Sequence, residues 1–148
     1  MTTREELNRQ LNQVGLRPSA HRARVLAYLQ EYRTHPTIDT IYTALRETST
    51  RLSRSTVYNV LRAFTDVGLV TELDIDGVQA RYDINTEPHG HFQCRSCGAV
   101  IDFDVDIVPQ AESQLRGYQI DDRAVFFKGL CPSCTDARPQ CPAAEKRN

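Results

Sequence analysis

Two Cys-x-x-Cys pairs, Cys94 with Cys97 and Cys131 with Cys134, constrain this chain more than any other feature of its 148 residues. Each pair presents two thiolates to one ion, and two pairs complete the tetrahedral all-sulfur shell of a structural zinc. Gly98 and Pro132 stand beside the pairs, as tight knuckle turns favour. A redox dithiol would need only one pair in a βαβ setting, so the doubled motif reads as structural zinc. The fifth cysteine, Cys141, reads as a free thiol in a C-terminal tail. Cysteines in metal spacing suit a reducing compartment better than a disulfide framework. There is no apolar run of bilayer length, and no apolar segment follows the mixed-charge start MTTREELNRQL, so the chain reads as soluble and cytoplasmic.

The residues before these cysteines have a different character. Residues 1–66 carry ten arginines, six acidic residues and no lysine, a net of +4, whereas residues 67–148 carry eight basic and thirteen acidic residues, a net of -5. Arginine is the cation suited to bidentate phosphate and guanine contacts. Four segments of the basic part show helical periodicity. The first carries Leu7, Leu11 and Val14, and the second carries Val25, Leu26 and Leu29 behind the Pro18-Ser19 start signal. The third runs from Thr37 with Ile38, Ile41, Tyr42 and Leu45 on one face, with Pro36 expected at its opening position. The fourth, residues 53–67, sets Val57, Val60, Leu61, Phe64 and Val67 on one side, with Ser53 as the expected N-cap.

The opposite side of the fourth segment is a polar stripe of Ser55, Tyr58, Asn59 and Arg62, with Arg51 and Arg54 beside its start. Gly68 stops the helix, and residues 69–73 and 78–82 flank Asp76-Gly77 as a hairpin. Helices followed by a hairpin is the order of a winged helix, whose second helix of the helix-turn-helix enters the major groove. A solvated surface would carry a similar stripe, but the hairpin and the all-arginine charge together favour nucleic acid. The expected fold class is α+β. A winged-helix DNA-binding domain occupies residues 1–83 and the turn-rich INTEPHG forms a linker at 84–90. A small α/β dimerisation domain with the four-cysteine site follows at 91–135, and a loose tail at 136–148. Within the second domain, residues 91–94 and 99–103 read as strands, Ile107, Val108, Ala111 and Leu115 as a helix, and 118–128 as a further strand-like run.

A second donor set lies around the linker. His89 and His91 alternate in an extended segment and so point the same way, Asp83 and Asp102 flank them, and His35 precedes the third helix. Imidazoles with carboxylates make a nitrogen and oxygen site for Fe(II), Mn(II) or Zn(II), although surface histidines near acidic residues would look the same. Open sites of this type also serve metalloenzymes, but no substrate-pocket motif accompanies this one, and the chain is read as a non-enzyme. A zinc-ribbon adaptor that binds only protein is the remaining class.

At the level of motifs the chain resembles the ferric uptake regulator (Fur) superfamily, most closely its peroxide-sensing PerR branch. The resemblance rests on GLRPSAHRARVLAYL, HPTIDTIY, SRSTVYNVLRAFTDVGLV, RYD, HGHFQCRSCG and CPSC, and covers nearly the whole chain except the tail. It implies a cytoplasmic homodimer that represses transcription at a pseudo-palindromic operator in double-stranded DNA, with no membrane and no small organic substrate as partner. It places structural zinc on Cys94, Cys97, Cys131 and Cys134, and a regulatory Fe(II) or Mn(II) on His35, Asp83, His89, His91 and Asp102, one ion tying the two domains together. It further implies that peroxide oxidises a ligand histidine of the Fe(II) form, with His35 and His89 as the targets. Asp102, where iron sensors usually carry Glu, favours this branch over an iron-availability regulator. A zinc sensor is disfavoured because no cysteine is left near the linker. The chain departs from the family in two respects. A second histidine-rich site is expected to be missing, because Gly90 and Arg123 stand where its ligands would be. His21 stands where Gln is common, which leaves its part in phosphate contact open, while Arg17 and Arg22 remain able to approach the DNA backbone or minor groove.

Overall fold

The helix starts of the first half are set by hydroxyl side chains. In the computed structural model, α1 (Arg4–Gln13), α2 (Ala20–Glu31), α3 (Ile38–Leu45) and α4 (Arg54–Asp66) are preceded by Thr3, Ser19, Thr37 and Ser53. Each of these side chains accepts the N–H of the residue three further on, at 3.3, 3.2, 3.2 and 3.1 Å. Such a cap is typically worth about 1 kcal/mol. The structure describes residues 2–48, 51–75, 77–106, 108–121 and 123–135, the side chains of 108 and 109 excepted. Contacts divide the chain into two units, Met1–Thr86 and Glu87–Asn148.

In the first unit the periodic residues meet as one core. Leu7 and Leu11 of α1, Val25, Leu26 and Leu29 of α2, Ile41 of α3 and Val57, Leu61 and Phe64 of α4 are buried together with Val70. Each such side chain contributes roughly 1.5–3 kcal/mol of burial. Val67, expected on the same face, is the C-cap of α4 and is 38% exposed. Gly68 closes that helix at φ 72°, where a side chain would be strained, and the Leu69 N–H reaches back to the Phe64 carbonyl at 2.9 Å.

Two expectations need correction here. Pro36 is not the opening residue of α3, because the Thr37 hydroxyl takes the capping position; instead the Pro36 carbonyl accepts the Tyr82 N–H at 3.0 Å. The hairpin is also shorter than expected. Strand β1 (Thr71–Leu73) pairs antiparallel with β2 (Arg81–Asp83), Thr71 opposite Asp83 and Leu73 opposite Arg81. Residues 74–80 form the connection, where Asp74 accepts the Gly77 N–H at 2.8 Å, and the expected turn residue Asp76 lies outside the described residues. Val78 is 80% exposed, so longer pairing would bury no apolar surface there.

The second unit holds a three-stranded sheet in the order β4-β3-β5, from β3 (Gly90–Cys94), β4 (Val100–Phe103) and β5 (Phe126–Gly129). Strand β3 runs antiparallel to β4 and parallel to β5. Helices α5 (Val108–Gln114) and α6 (Pro132–Thr135) complete it. Gly90, placed at the end of the linker by sequence, is the first residue of β3, and only the end of the 118–128 run is strand. Of the expected helix, Ile107 lies outside the described residues, Ala111 is exposed, and Leu115 follows α5 at 40% exposure. The buried cluster consists of Cys94, Ala99 and Cys131, with Phe92, Cys97 and Cys134 packed against it. A core this small depends on a metal or a partner. The tail at 136–148, with Cys141, lies outside the described residues. The α+β class with a winged helix first is as expected from sequence. No helix among the described residues is long and apolar enough to cross a membrane.

Candidate metal centres and nucleic-acid interface

Strand β3 delivers Cys94 to a tight turn, closed by the Gly98 N–H donating to the Cys94 carbonyl at 2.9 Å. Of the second pair, Cys131 immediately precedes α6 and Cys134 lies within it, the Cys134 N–H donating to the Cys131 carbonyl at 3.0 Å. The four sulfurs lie within 4.8 Å of one another, and Cys97 and Cys131 are 3.9 Å apart. A tetrahedron built on Zn–S bonds of about 2.3 Å has an edge of roughly 3.8 Å, so the cluster fits zinc with little adjustment. The Cys131 N–H donates to the Cys94 sulfur at 3.3 Å. Backbone N–H groups, that of Cys97 first and then those of Cys131 and Ser96, bring the Cys94 thiol down to about 6 against the opposing effect of burial. Cys134 is pushed up to about 11, chiefly by its hydrogen bond with the Cys131 side chain. Without metal, the cluster therefore localises a negative charge on Cys94 and keeps a proton on Cys134.

The second unit also gathers three residues of the other donor set. His91 and Asp102 face each other across β3 and β4. The Nε2 atoms of His91 and His89 lie 3.4 and 3.5 Å from the same Asp102 oxygen, and the two rings are 4.4 Å apart. The His89 Nδ1 meets the Glu87 carbonyl at 2.5 Å. A carbonyl can only accept, so Nδ1 carries a hydrogen, and in the neutral ring the lone pair is on Nε2, the atom facing Asp102. That arrangement prepares an imidazole for metal ligation. His91 is braced from behind by Phe126, with ring centroids 5.6 Å apart.

The first unit holds the remaining two. His35 and Asp83 are buried, at 3% and 5% exposure, with Nε2 and Oδ2 3.4 Å apart. His35 adopts φ 52°, a left-handed conformation uncommon for a residue with a side chain. The wing holds it there: Arg81 donates to the His35 carbonyl at 3.3 Å and Tyr82 to that of Pro36 at 3.0 Å. The Asn85 N–H fixes the Asp83 carboxylate at 2.8 Å. A buried carboxylate beside a buried imidazole favours a cation, and nitrogen and oxygen donors suit Fe(II) or Mn(II) better than thiol-seeking ions.

The stripe of α4 is exposed as expected: Arg51, Arg54, Ser55, Tyr58, Asn59 and Arg62 all face solvent. Arg54 is not free along that face. Its Nε donates to Asp39 at 2.5 Å and its guanidinium lies 4.5 Å from the centre of the Tyr42 ring. Arg22 donates to the Arg17 carbonyl at 2.6 Å, joining these two residues at the entry to α2. Asp39 was not singled out by sequence, because fifteen residues separate it from its partner and no local pattern marks such a pair. Arg123, in the place of a second-site ligand, pairs with Glu112 at 2.9 Å.

Residues 13–127 match the ferric uptake regulator family. The peroxide-responsive repressor PerR of Staphylococcus aureus (strain Mu50 / ATCC 700699) is 35% identical over 135 residues, covering 89% of this chain and 91% of its own. Among solved structures, the Vibrio cholerae ferric uptake regulator, described for rearrangement of its DNA-binding domains, superposes with a TM-score of 0.71 at 28% identity, covering 84% and 98% of the two chains. PerR from Streptococcus pyogenes, described for peroxide sensing and gene regulation, gives 0.51 at 32% identity over 90% and 94%.

Proposed function

The chain belongs to the ferric uptake regulator family, and we propose that it is a cytoplasmic, homodimeric, metal-dependent repressor that senses hydrogen peroxide and binds a pseudo-palindromic operator. The observation that carries this reading is the separation of two donor sets of opposite character. Four sulfurs lie within 4.8 Å of one another, enough to complete a tetrahedral all-thiolate shell. The imidazoles and carboxylates form a second set with the chemistry of iron and manganese. Cys94, Cys97, Cys131 and Cys134 hold zinc and stabilise the second unit. His35, Asp83, His89, His91 and Asp102 together ligate one Fe(II) or Mn(II).

Sensing then follows from ligand chemistry. Iron held by these five residues would supply the redox chemistry by which hydrogen peroxide adds one oxygen atom to a ligand imidazole and leaves the other as water. His35 and His89 are the targets. An oxidised imidazole is a poor ligand, so the link between the halves loosens and repression ends. Metal that favours the DNA-competent arrangement must be held more tightly, by the same factor, when DNA is bound. Mn(II) supports repression without this oxidation.

A second copy of the chain accounts for the apolar surface of the second unit, where Tyr118 is 71% and Phe127 58% exposed. Two winged helices about a two-fold axis would address two half-sites. Arg17, Arg22, Arg51, Arg54 and Arg62 contact phosphates, and Ser55, Tyr58 and Asn59 reach base edges. No organic substrate is turned over.

The test is anaerobic. Zinc-containing protein is loaded with Fe(II) or Mn(II), operator binding is followed by fluorescence anisotropy before and after peroxide, and added oxygen is mapped by peptide mass spectrometry. Loss of binding in the Fe(II) form alone, with oxygen on His35 or His89, is the expected result. Unchanged binding in both forms favours the second reading, an iron-availability regulator.

A further inference from the structure

Strand β2 presents two side chains to His35 from one face. Arg81 and Asp83 alternate along the strand, so both leave it on the side opposite Tyr82, whose side chain is buried in the core of the first unit. Asp83 meets the His35 ring at 3.4 Å, and the Arg81 Nη1 meets the His35 backbone carbonyl at 3.3 Å. Tyr82, between them, holds the next carbonyl, that of Pro36. Three consecutive residues of β2 therefore fix two consecutive residues of the loop before α3. The first of the two, His35, is the one non-glycine residue with positive φ among the described residues.

Arg81 is a poor choice for stability alone. Its Nε is covered from solvent and has no hydrogen-bond partner among the described residues. Taking an N–H of a charged group out of water without an acceptor is costly, and an apolar side chain at this position would avoid that cost. What an apolar side chain could not do is hold the His35 carbonyl. A left-handed conformation at a residue with a β-carbon persists only where its surroundings over-determine it. Release of the carbonyl lets the backbone of His35 relax and carries the ring away from Asp83.

We infer that Arg81 is a positioning residue of the metal centre, raising metal affinity by keeping the His35 ring beside Asp83. A guanidinium has no lone pair to offer, so Arg81 acts through His35 and is not itself a ligand. The inference rests on the repressor reading above, which assigns His35 and Asp83 to Fe(II) or Mn(II). A second effect of Arg81 has the opposite sign: a cation on the same face as Asp83 repels a divalent ion. The direction in which affinity moves when Arg81 is replaced therefore separates the hydrogen bond from the charge.

The test titrates zinc-containing protein with Mn(II) and follows the free ion by electron paramagnetic resonance. The proteins compared are the native chain, Arg81→Met, Arg81→Lys, His35→Ala, and His35→Ala with Arg81→Met. Arg81→Met should weaken Mn(II) binding about 10- to 100-fold, the usual effect of removing a group that orients a ligand. Arg81→Lys keeps a donor and should recover part of the loss. In the His35→Ala background the change should stay within about twofold, the ordinary error of additivity, because the ligand that Arg81 positions is gone. Without Mn(II), Arg81→Met should melt close to the native protein, since release of the covered N–H offsets the lost hydrogen bond. Arg81→Thr, too short to reach the carbonyl and favoured in strands, supplies the same comparison should Arg81→Met melt far lower. Equal losses in the two backgrounds, or tighter Mn(II) binding by Arg81→Met, overturn the positioning role and leave the repressor reading intact. Native Mn(II) binding that His35→Ala does not weaken overturns the metal assignment of that reading as well.

Discussion

Gly90 lies directly beneath the ring of Phe103: a β-carbon on Gly90 would stand 2.4 Å from the ring's Cζ and within 2.9 Å of both Cε atoms. The two residues face each other across β3 and β4, and Phe103 stacks in turn on Phe127 with centroids 5.1 Å apart. An aromatic ring thus fills the space beside the strand residue that separates His89 from His91. We predict that Gly90→Ala forces the end of the ring aside and lowers stability by about 1–3 kcal/mol, the usual range for overpacking. Thermal melts of the zinc-loaded protein would show it, and Phe103→Leu in the same chain should recover part of the loss. Equal melting temperatures for the native and Gly90→Ala proteins would remove the packing explanation for this glycine.

The thiol cluster makes a prediction about protons. Cys94, held at about 6, is lower than an ordinary thiol, so its contribution to the metal-free fold is full above the ordinary thiol value and lost as pH falls through about 6. Cys134, at about 11, has the opposite sign: its contribution is present below the ordinary value and lost as pH rises through about 11. At a pH of about 7.5, zinc therefore displaces a proton from Cys134 and none from Cys94, and fewer than four protons leave the cluster. Calorimetric titration of metal-free protein with zinc, in buffers of different ionisation enthalpy, counts them. The count should rise below about pH 6, where Cys94 is protonated. A release of four at neutral pH would contradict the hydrogen bonding described for Cys94.

How much of this was legible beforehand depends on the range of each interaction. Ser53 as a cap, the cysteine knuckles and the shared side of His89 and His91 are set within a few residues, and sequence spacing is enough to read them. The strand limits are not. Tyr118 and Ile120 alternate like strand residues, yet pairing with β3 begins only at Phe126. The φ of His35 is likewise invisible in sequence, because Arg81 and Tyr82, more than forty residues away, hold it. The polar stripe of α4 was readable as a surface, whereas the engagement of Arg54 by Asp39 and Tyr42 arises only when α3 and α4 pack together.

That engagement changes what Arg54 can contribute to DNA binding. An exposed ion pair is worth at most about 1 kcal/mol, so Asp39→Asn should barely alter the melting temperature. It removes a negative charge from the proposed DNA face, however, and affinity for duplex DNA should rise. In the native background, Arg54→Ala should reduce the salt dependence by less than the slope of about 0.9 expected for a full phosphate contact, because Asp39 already offsets the charge. In the Asp39→Asn background the same substitution should cost nearly all of it. Equal slope changes in the two backgrounds would mean that DNA displaces Asp39 completely.

The second unit exposes apolar surface out of proportion to its core. Tyr118 is 71%, Phe127 58%, Leu115 40%, Leu130 39% and Ile120 38% exposed, while the buried apolar cluster among the described residues is Cys94, Ala99 and Cys131. Exposed apolar groups of this density mark an interface when they are contiguous. Phe127 is tied to the packing of Phe103, so changing it would disturb the sheet as well as any partner. Tyr118 and Ile120 lie outside the strands and offer a cleaner test. We predict that Tyr118→Asp combined with Ile120→Asp converts the proposed dimer to a monomer by light scattering, with one zinc per chain retained. Operator affinity should then fall by a factor on the order of 100 or more, since the two half-sites no longer act through one linked molecule. A dimer that survives both substitutions with native affinity would locate the self-association elsewhere, whereas loss of zinc together with loss of the dimer would mean that these side chains support the fold of the unit itself.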